Sequence, residues 1–277
     1  MPISSISQGL GFGGGSAATI SGAPIGGATP FPNTKSILLD GADEYATISG
    51  ASDLAITGDC TISLWFKPTA VPPAFVAPYG SSPPSFAYCF QLTNVHGTGY
   101  DRAIGIRGTE GGNDTEAQIV ANTYASGWAT PWTNTTITAG NWYHMAVIFT
   151  SGSAQLYFNG SDKGSKSVTT NSGSYTATII GGMRYNSTFY FNGNIDEVAV
   201  FASALSSSNI ADIYNSGAPA DLDALNPVGW WRCGDGDTYP TLTDHGVTWD
   251  GSAYVPSGNN ATMMNAESGD IVSDVPS

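Results

Sequence analysis

The sequence predicts an all-β antiparallel sandwich with one short helix and an extended N-terminal arm. Three observations carry that prediction. With Gly 35 and Pro 16 in 277 residues and few stretches of helical periodicity, the chain favours many short strands joined by turns. Residues 142–150 place Trp142, His144, Ala146 and Ile148 on one face and Tyr143, Met145, Val147 and Phe149 on the other, so this strand is apolar on nearly both faces and belongs inside a sheet covered on both sides. Asn159-Gly160 directly follows the apolar run Leu156-Tyr157-Phe158, and an Asn-Gly pair supplies the two positive-φ positions of a tight hairpin.

Composition bounds the function. A hydrophobic content of 41% is enough for a real core, as one large β domain or two small ones. The formal charge is 8 − 22 = −14 with only 11% charged residues, so Ser, Thr, Asn and Gly cover the surface. Nucleic acid is excluded as a partner, because phosphate neutralisation needs a Lys/Arg field that this chain lacks. The acidity serves solubility and self-repulsion, or else binds a divalent cation in loop carboxylates. Cys60, Cys89 and Cys233 are odd in number and imply no disulfide framework. Cys60 shares a face with Ile62, Leu64 and Phe66 and reads as a buried thiol. No basic leader followed by an apolar run stands at the N-terminus, and no apolar stretch approaches the roughly 18 residues of a membrane span. The expectation is a chain made in a reducing cytoplasm, or one whose signal has been removed, with no membrane partner.

Taken in order, residues 1–34 carry Ile3, Ile6, Leu10, Phe12, Ile20 and Ile25 singly between glycines and prolines, without strand or helix period. A plain linker is Gly/Ser-rich with few apolar side chains, and composition alone also suits a disordered tail. The apolar dotting favours an assembly arm, with Ile3, Ile6, Leu10 and Phe12 laid on a neighbouring subunit. The globular part begins at Lys35. Asp43 and Glu44 sit in the turn after the first strand, as turn formers or as metal ligands. Residues 60–68 form a strand that Pro68 stops. Residues 69–87 are a Pro-rich insertion, of a length that tends to be functional or to touch a partner. Strands follow at 88–93, 103–107 and 117–124, with Glu110, Asp114 and Glu116 in the loop 108–116. Trp128 and Trp132 lie in a Gly/Thr-rich loop, where they either stack on sugar rings or cap the core. Further strands are expected at 155–159, 179–182 and 192–201. Residues 205–217 hold the one convincing helix, capped within Ser206, Ser207 and Ser208, striped by Ile210, Ile213 and Tyr214, and ended by Gly217.

Four phrases in order, Trp142-Tyr143-His144-Met145-Ala146, Leu156-Tyr157-Phe158-Asn159-Gly160, Ile180-Gly181-Gly182 and Phe191-Asn192-Gly193-Asn194-Ile195-Asp196-Glu197, resemble the laminin-G-like branch of the concanavalin A-like lectin/glucanase domains. The opening residues 36–48 and the helix resemble the same family, with Asn209 where Glu is commoner. The resemblance implies a concanavalin A-like jelly roll. Residues 229–237, 244–246 and 259–265 look like the phrase that commonly precedes the position of Lys35 in that family, yet here they come last. The about 50 residues after Val228 are too few for a second sandwich of roughly 100 residues. The expectation is one permuted domain, residues 35–265, closed by residues 228–265, with an acidic tail, 266–277 (Glu267, Asp270, Asp274), left loose.

Catalytic patterns are missing. The related hydrolases carry E-x-D-x-x-E on one strand, a spacing that does not occur here. Strict alternation sends Asp196 and Glu197 to opposite faces, where they cannot share a substrate bond. His144, on a confident strand, reads as a core imidazole bonded to backbone rather than a base. The chain therefore reads as a non-enzyme. Two roles follow. One is a structural assembly protein, in style a bacteriophage virion component such as a head decoration, fibre or tail subunit, whose partners are other copies of itself or a capsid or tail protein. It needs no cofactor, and its place is the virion. The other, implied by the resemblance, is a calcium-dependent lectin or adhesin, extracellular or on a cell surface. Its glycan candidates are Trp128, Trp132, Glu110 and Asp114, and its Ca2+ candidates are Asp235 and Asp237.

Overall fold

A computed structural model describes residues 31–74, 86–94, 102–112, 114–122, 130–168, 175–182 and 189–277. Ile3, Ile6, Leu10, Phe12 and Trp128 lie outside the described residues, as does most of the Pro-rich insertion.

The strands in chain order are β1 (Ser36–Asp40), β2 (Tyr45–Ile48), β3 (Cys60–Pro68), β4 (Phe86–Asn94), β5 (Arg102–Gly108), β6 (Ala117–Asn122), β7 (Thr130–Ile137), β8 (Tyr143–Thr150), β9 (Ser153–Phe158), β10 (Ser161–Ser167), β11 (Tyr175–Ile180), β12 (Asn192–Phe201), β13 (Gly229–Trp231), β14 (Thr241–Leu242), β15 (Val247–Trp249), β16 (Tyr254–Pro256), β17 (Ala261–Met264) and β18 (Ile271–Val272), with one helix, α1 (Ser207–Tyr214), between β12 and β13. Among the described residues they make two eight-stranded sheets. The first runs β10-β9-β8-β3-β12-β1-β18, with β13 also on β12, and the second runs β14-β17-β2-β11-β4-β5-β6-β7. The pairings are antiparallel, as in β3 against β8 and β4 against β5. A small ribbon, β15-β16, stands apart.

The facing sides of the sheets enclose one core, with Leu64, Phe66, Val147, Phe149, Val200 and Trp231 from the first sheet and Phe90, Ile104, Ile119, Trp132, Ile180 and Met263 from the second. The alternation of β8 is as its sequence reads: Met145, Val147 and Phe149 face this core, while Ala146 and Ile148 join an outer cluster with Phe201, Ile210, Ile213 and Trp230. Helix α1 covers that outer face. Ser206 caps it, its hydroxyl accepting from Asn209 N while Asn209 Oδ1 accepts from Ser206 N, so Asn209 completes the capping box that Glu commonly forms. At the tip of β9-β10, Asn159 and Gly160 take φ 47° and 71°, as the hairpin requires.

Residues beyond 228 add to both sheets: Trp231 lies opposite Val198, and Thr262 opposite Thr47. The end of the chain is not loose. β18 pairs with β1, and the Asp274 carboxylate accepts from Lys67 Nζ at 2.6 Å and from Trp142 Nε1 at 3.0 Å, so its charge is neutralised against the sheet.

β12 corrects the alternation expected for its acids. Asp196 lies opposite Trp65 and Ala199 opposite Ser63, so Glu197 and Val198 face Leu64 alone, and the extra residue is absorbed at Glu197 with φ 47°. This bulge keeps Ile195, Val198 and Val200 in the core yet leaves Asp196 and Glu197 both on the outer face.

His144 is wholly buried on that face, its ring tilted against those of Trp65 and Tyr214, and its Nε2 meets the Ser63 hydroxyl at 2.9 Å rather than a backbone group. Burial pushes its pKa down to about 3, so the folded state holds it neutral. A lowered histidine pKa contributes stability above its ordinary value of 6.5 that is lost as pH falls below it. At about 1.4 kcal/mol per pH unit, the cost of His144→Gln should shrink by about 2 kcal/mol between pH 7 and pH 5. Urea unfolding of both proteins at each pH checks this, and an unchanged difference would place the titration elsewhere.

Candidate functional site

Residues 244–260 form a projecting ribbon whose local sequence dictates its shape. Val247-Thr248-Trp249 and Tyr254-Val255-Pro256 flank Asp250-Gly251-Ser252-Ala253, an alternating pair of segments around a turn. Trp249 lies directly opposite Tyr254 and Val247 opposite Pro256, so these four share one face. In the turn, Asp250 Oδ1 accepts from Ala253 N, Ser252 N and Ser252 Oγ, each at 2.8 Å, and Asp250 N donates to Ala253 O. These bonds hold its carboxyl below the usual range, so it stays ionised beside the aromatic pair.

The base of the ribbon is fixed by a buried carboxylate. Asp244 Oδ1 accepts from Trp230 N at 2.8 Å and Gly246 N at 2.7 Å; its Oδ2 accepts from Ser257 Oγ and, at 3.0 Å, from Asn259 N. Asp244 N in turn donates to Asn260 Oδ1. Val247 N donates to Pro227 O and His245 N to Trp230 O, both at 2.7 Å. Gly246 sits against Gly229, where a Cβ would meet the Gly229 Cα at 2.6 Å, so only glycine lets these backbones meet.

On this mount Trp249 is 58% exposed and Tyr254 56%, the two most exposed large apolar side chains among the described residues. Their ring centroids are 5.3 Å apart at 68°, an angled pair with one edge toward the other's face. No Lys or Arg occurs in residues 244–260. The arrangement offers a flat aromatic surface and an adjoining wall to a ligand with an apolar face and hydroxyl rim.

The residues singled out from sequence fall elsewhere. Trp132 is on β7, not in a loop; it is 1% exposed in the core, and its Nε1 donates to Gly164 O at 3.0 Å, so it cannot meet a sugar. Glu110 and Asp114 are exposed, and Asp114 Oδ1 accepts from Ala74 N. The Asp235 carboxylate accepts from Thr34 N, Thr34 Oγ1 and Lys35 N, and that of Asp237 from Gly234 N and Thr243 N. Both are thus engaged by the chain's own donors rather than turned to a cation. Among the described residues no group of three or more Asp, Glu, His or Cys has metal-holding geometry. No helix among them is long and apolar enough to cross a membrane.

Residues 40–211 match the concanavalin A-like lectin/glucanases superfamily. The chain belongs to that superfamily. A putative carbohydrate binding protein from Bacteroides ovatus superposes with TM-score 0.51 at 15% identity, over 90% of this chain and 62% of that one. A heptameric SAP-like pentraxin from Limulus polyphemus gives 0.49 at 14% identity, over 84% of this chain and 96% of that one. Domain 4 of an extracellular arabinanase from Geobacillus stearothermophilus, in complex with arabinotriose, gives 0.44 at 20% identity, over 68% of this chain and 82% of that domain. No curated protein matches the chain. The superfamily match stops short of the ribbon, so Trp249 and Tyr254 lie outside the matched residues.

Removing the anchor should loosen the mount. Asp244→Ala strips the partners from three backbone N–H groups and one hydroxyl and should cost about 3 kcal/mol or more. Asp244→Asn, which keeps one acceptor oxygen, should cost less. Chemical denaturation of the two variants checks the order, and equal costs would deny the carboxylate its role.

Proposed function

We propose that the protein is a non-catalytic carbohydrate-binding module that grips a neutral glycan on Trp249 and Tyr254. The observation that carries this reading is the rigidly mounted, solvent-facing aromatic pair. A pyranose ring turns an apolar face of C–H groups to an aromatic ring while its hydroxyls stay in water, a match for amphipathic side chains standing at the surface. Asp250 and the chain's charge of −14 disfavour acidic sugars. The superfamily of lectins and glucanases supplies context for a glycan ligand. Against a glucanase stands the placement of Asp196 and Glu197, the paired acids of the central sheet: both are buried under the outer layer, where no substrate bond can reach them.

A metal is not needed for stacking, so binding by this pair is proposed to be independent of calcium. The assembly reading depends on residues 1–34, and neither the superfamily match nor the similar structures point to a virion.

The test is a glycan array followed by titration of the best ligand, with and without EDTA. Trp249→Ala and Tyr254→Ala should each weaken binding by about 10-fold or more, while stability changes by about 0.5 kcal/mol or less, as for exposed positions. Binding that survives both substitutions unchanged, or no binding at all by the wild type, would overturn the proposal.

A further inference from the structure

The bulged acids lie beneath a short piece of chain with unusual contacts. Phe31 stacks on Trp230 at 5.8 Å and 22°, and the Arg232 guanidinium carbon sits 4.2 Å from the Phe31 ring centroid. Pro32 O accepts from Arg232 Nη2, and Asn33 Nδ2 donates to Asp196 Oδ2 at 2.9 Å. Thr34 donates to Asp235 through both its amide and its hydroxyl. Residues 31–34 belong to no strand: side chains, not a sheet ladder, hold them down. Asn33 Oδ1 is buried with no partner, so the amide is only half satisfied where it lies, and returning it to water restores a hydrogen bond.

Below this piece of chain stand Asp196, Glu197 and Asp235, all buried, with Arg232 as the cation, 3.3 Å from Glu197 Oε1 and 3.6 Å from Asp235 Oδ2. Cys233 and Asp237 come from the same loop as Asp235, and Asp244 and His245 lie beyond Trp230. Lys35 offers no compensation here, because its Nζ donates to Ser273 Oγ. Fully ionised, three carboxylates face one guanidinium.

We propose that residues 31–34 are a clasp over this cluster, closed while Asp196 and Glu197 share a proton and released when that proton leaves at alkaline pH. Burial, then the neighbouring Glu197, hold the Asp196 carboxyl well above the usual carboxylate range. Burial likewise pushes Glu197 up to about 7, against the pull of Arg232 and Trp230. A raised carboxyl pKa stabilises the closed state at low pH and costs it as pH rises through the folded value. Once both groups are ionised, the added charge must find water. The cover that can lift without breaking a sheet is the clasp, and lifting it hydrates the carboxylates.

Three tryptophans read the motion in one spectrum. Trp230 Nε1–H donates to Glu197 Oε2 under the clasp, Trp231 Nε1–H donates to Asn259 O on the core side, and Trp249 is exposed. Water exchange of the indole N–H signals, measured by NMR on the full chain and normalised to Trp249, separates local opening from global loosening. Between about pH 6 and pH 9 the Trp230 protection should fall about 10-fold or more while that of Trp231 holds. In Asp196→Asn, which removes one of the crowded charges, Trp230 should stay protected at pH 9; if that variant does not fold, Glu197→Gln poses the same question. Phe31→Ala, which deletes the stack, should lower Trp230 protection already at pH 6. Constant Trp230 protection across the range, a parallel loss at Trp231, or unaltered opening in the charge-deleted variant would each overturn the clasp.

Discussion

One extra residue in the central strand of the first sheet determines how its outer layer is built. With Glu197 at φ 47°, β12 returns Val198 and Val200 to the core but puts two successive carboxylates on the opposite side. Carboxylates on a covered face must be hydrogen-bonded or neutralised, or the fold bears their full desolvation. The layer meets that demand with Trp230 and Arg232 on Glu197 and Asn33 on Asp196. The apolar remainder of the layer, α1 with Ile210 and Ile213, closes over Ala146, Ile148 and Phe201.

Much of the fold was legible because two periodicities are clean. β8 is apolar on both faces and lies inside a sheet with cover on both sides, and the Asn159-Gly160 turn needs only its own two residues to be recognised. The helix was equally local, with a serine cap and an apolar stripe. What escaped was non-local or phase-breaking. A bulge has no signature in strict alternation, which sends Asp196 and Glu197 to opposite faces. Trp132 sits among glycines and threonines that resemble a loop, but β6 supplies its strand partner, with Ile119 opposite it. The acidic end reads as a solvated tail until Lys67 and Trp142, distant in sequence, are seen to receive Asp274.

The aromatic pair was within reach of sequence reasoning. Val247-Thr248-Trp249 and Tyr254-Val255-Pro256 around Asp250-Gly251 have the alternation and turn chemistry of a hairpin, and the aromatics fall opposite each other. Their exposure is what could not be read, because an alternating strand with a Trp in phase is ordinarily a core strand. Among the described residues the ribbon's two strands pair with each other and with no further strand.

A lone two-stranded ribbon is marginal in water, so its order must be imposed from its base. Asp244 does this by tying Trp230, Gly246, Ser257 and Asn259 to one buried carboxylate, with Asn259 in turn held by Asp53. Such an anchor stabilises a segment that buries almost nothing of its own and leaves two large aromatic rings in water. Folding alone gives no reason for that arrangement, because an apolar ribbon face is better covered or made polar. Rigid presentation does, since a ligand meeting rings already held in place loses less entropy on binding than one that must order them. Trp230 joins the two halves of the argument: its backbone N–H holds the anchor of the ribbon, while its indole lies under Phe31 and on Glu197. The residue that seals the buried acids is therefore also the floor on which the exposed aromatics are mounted.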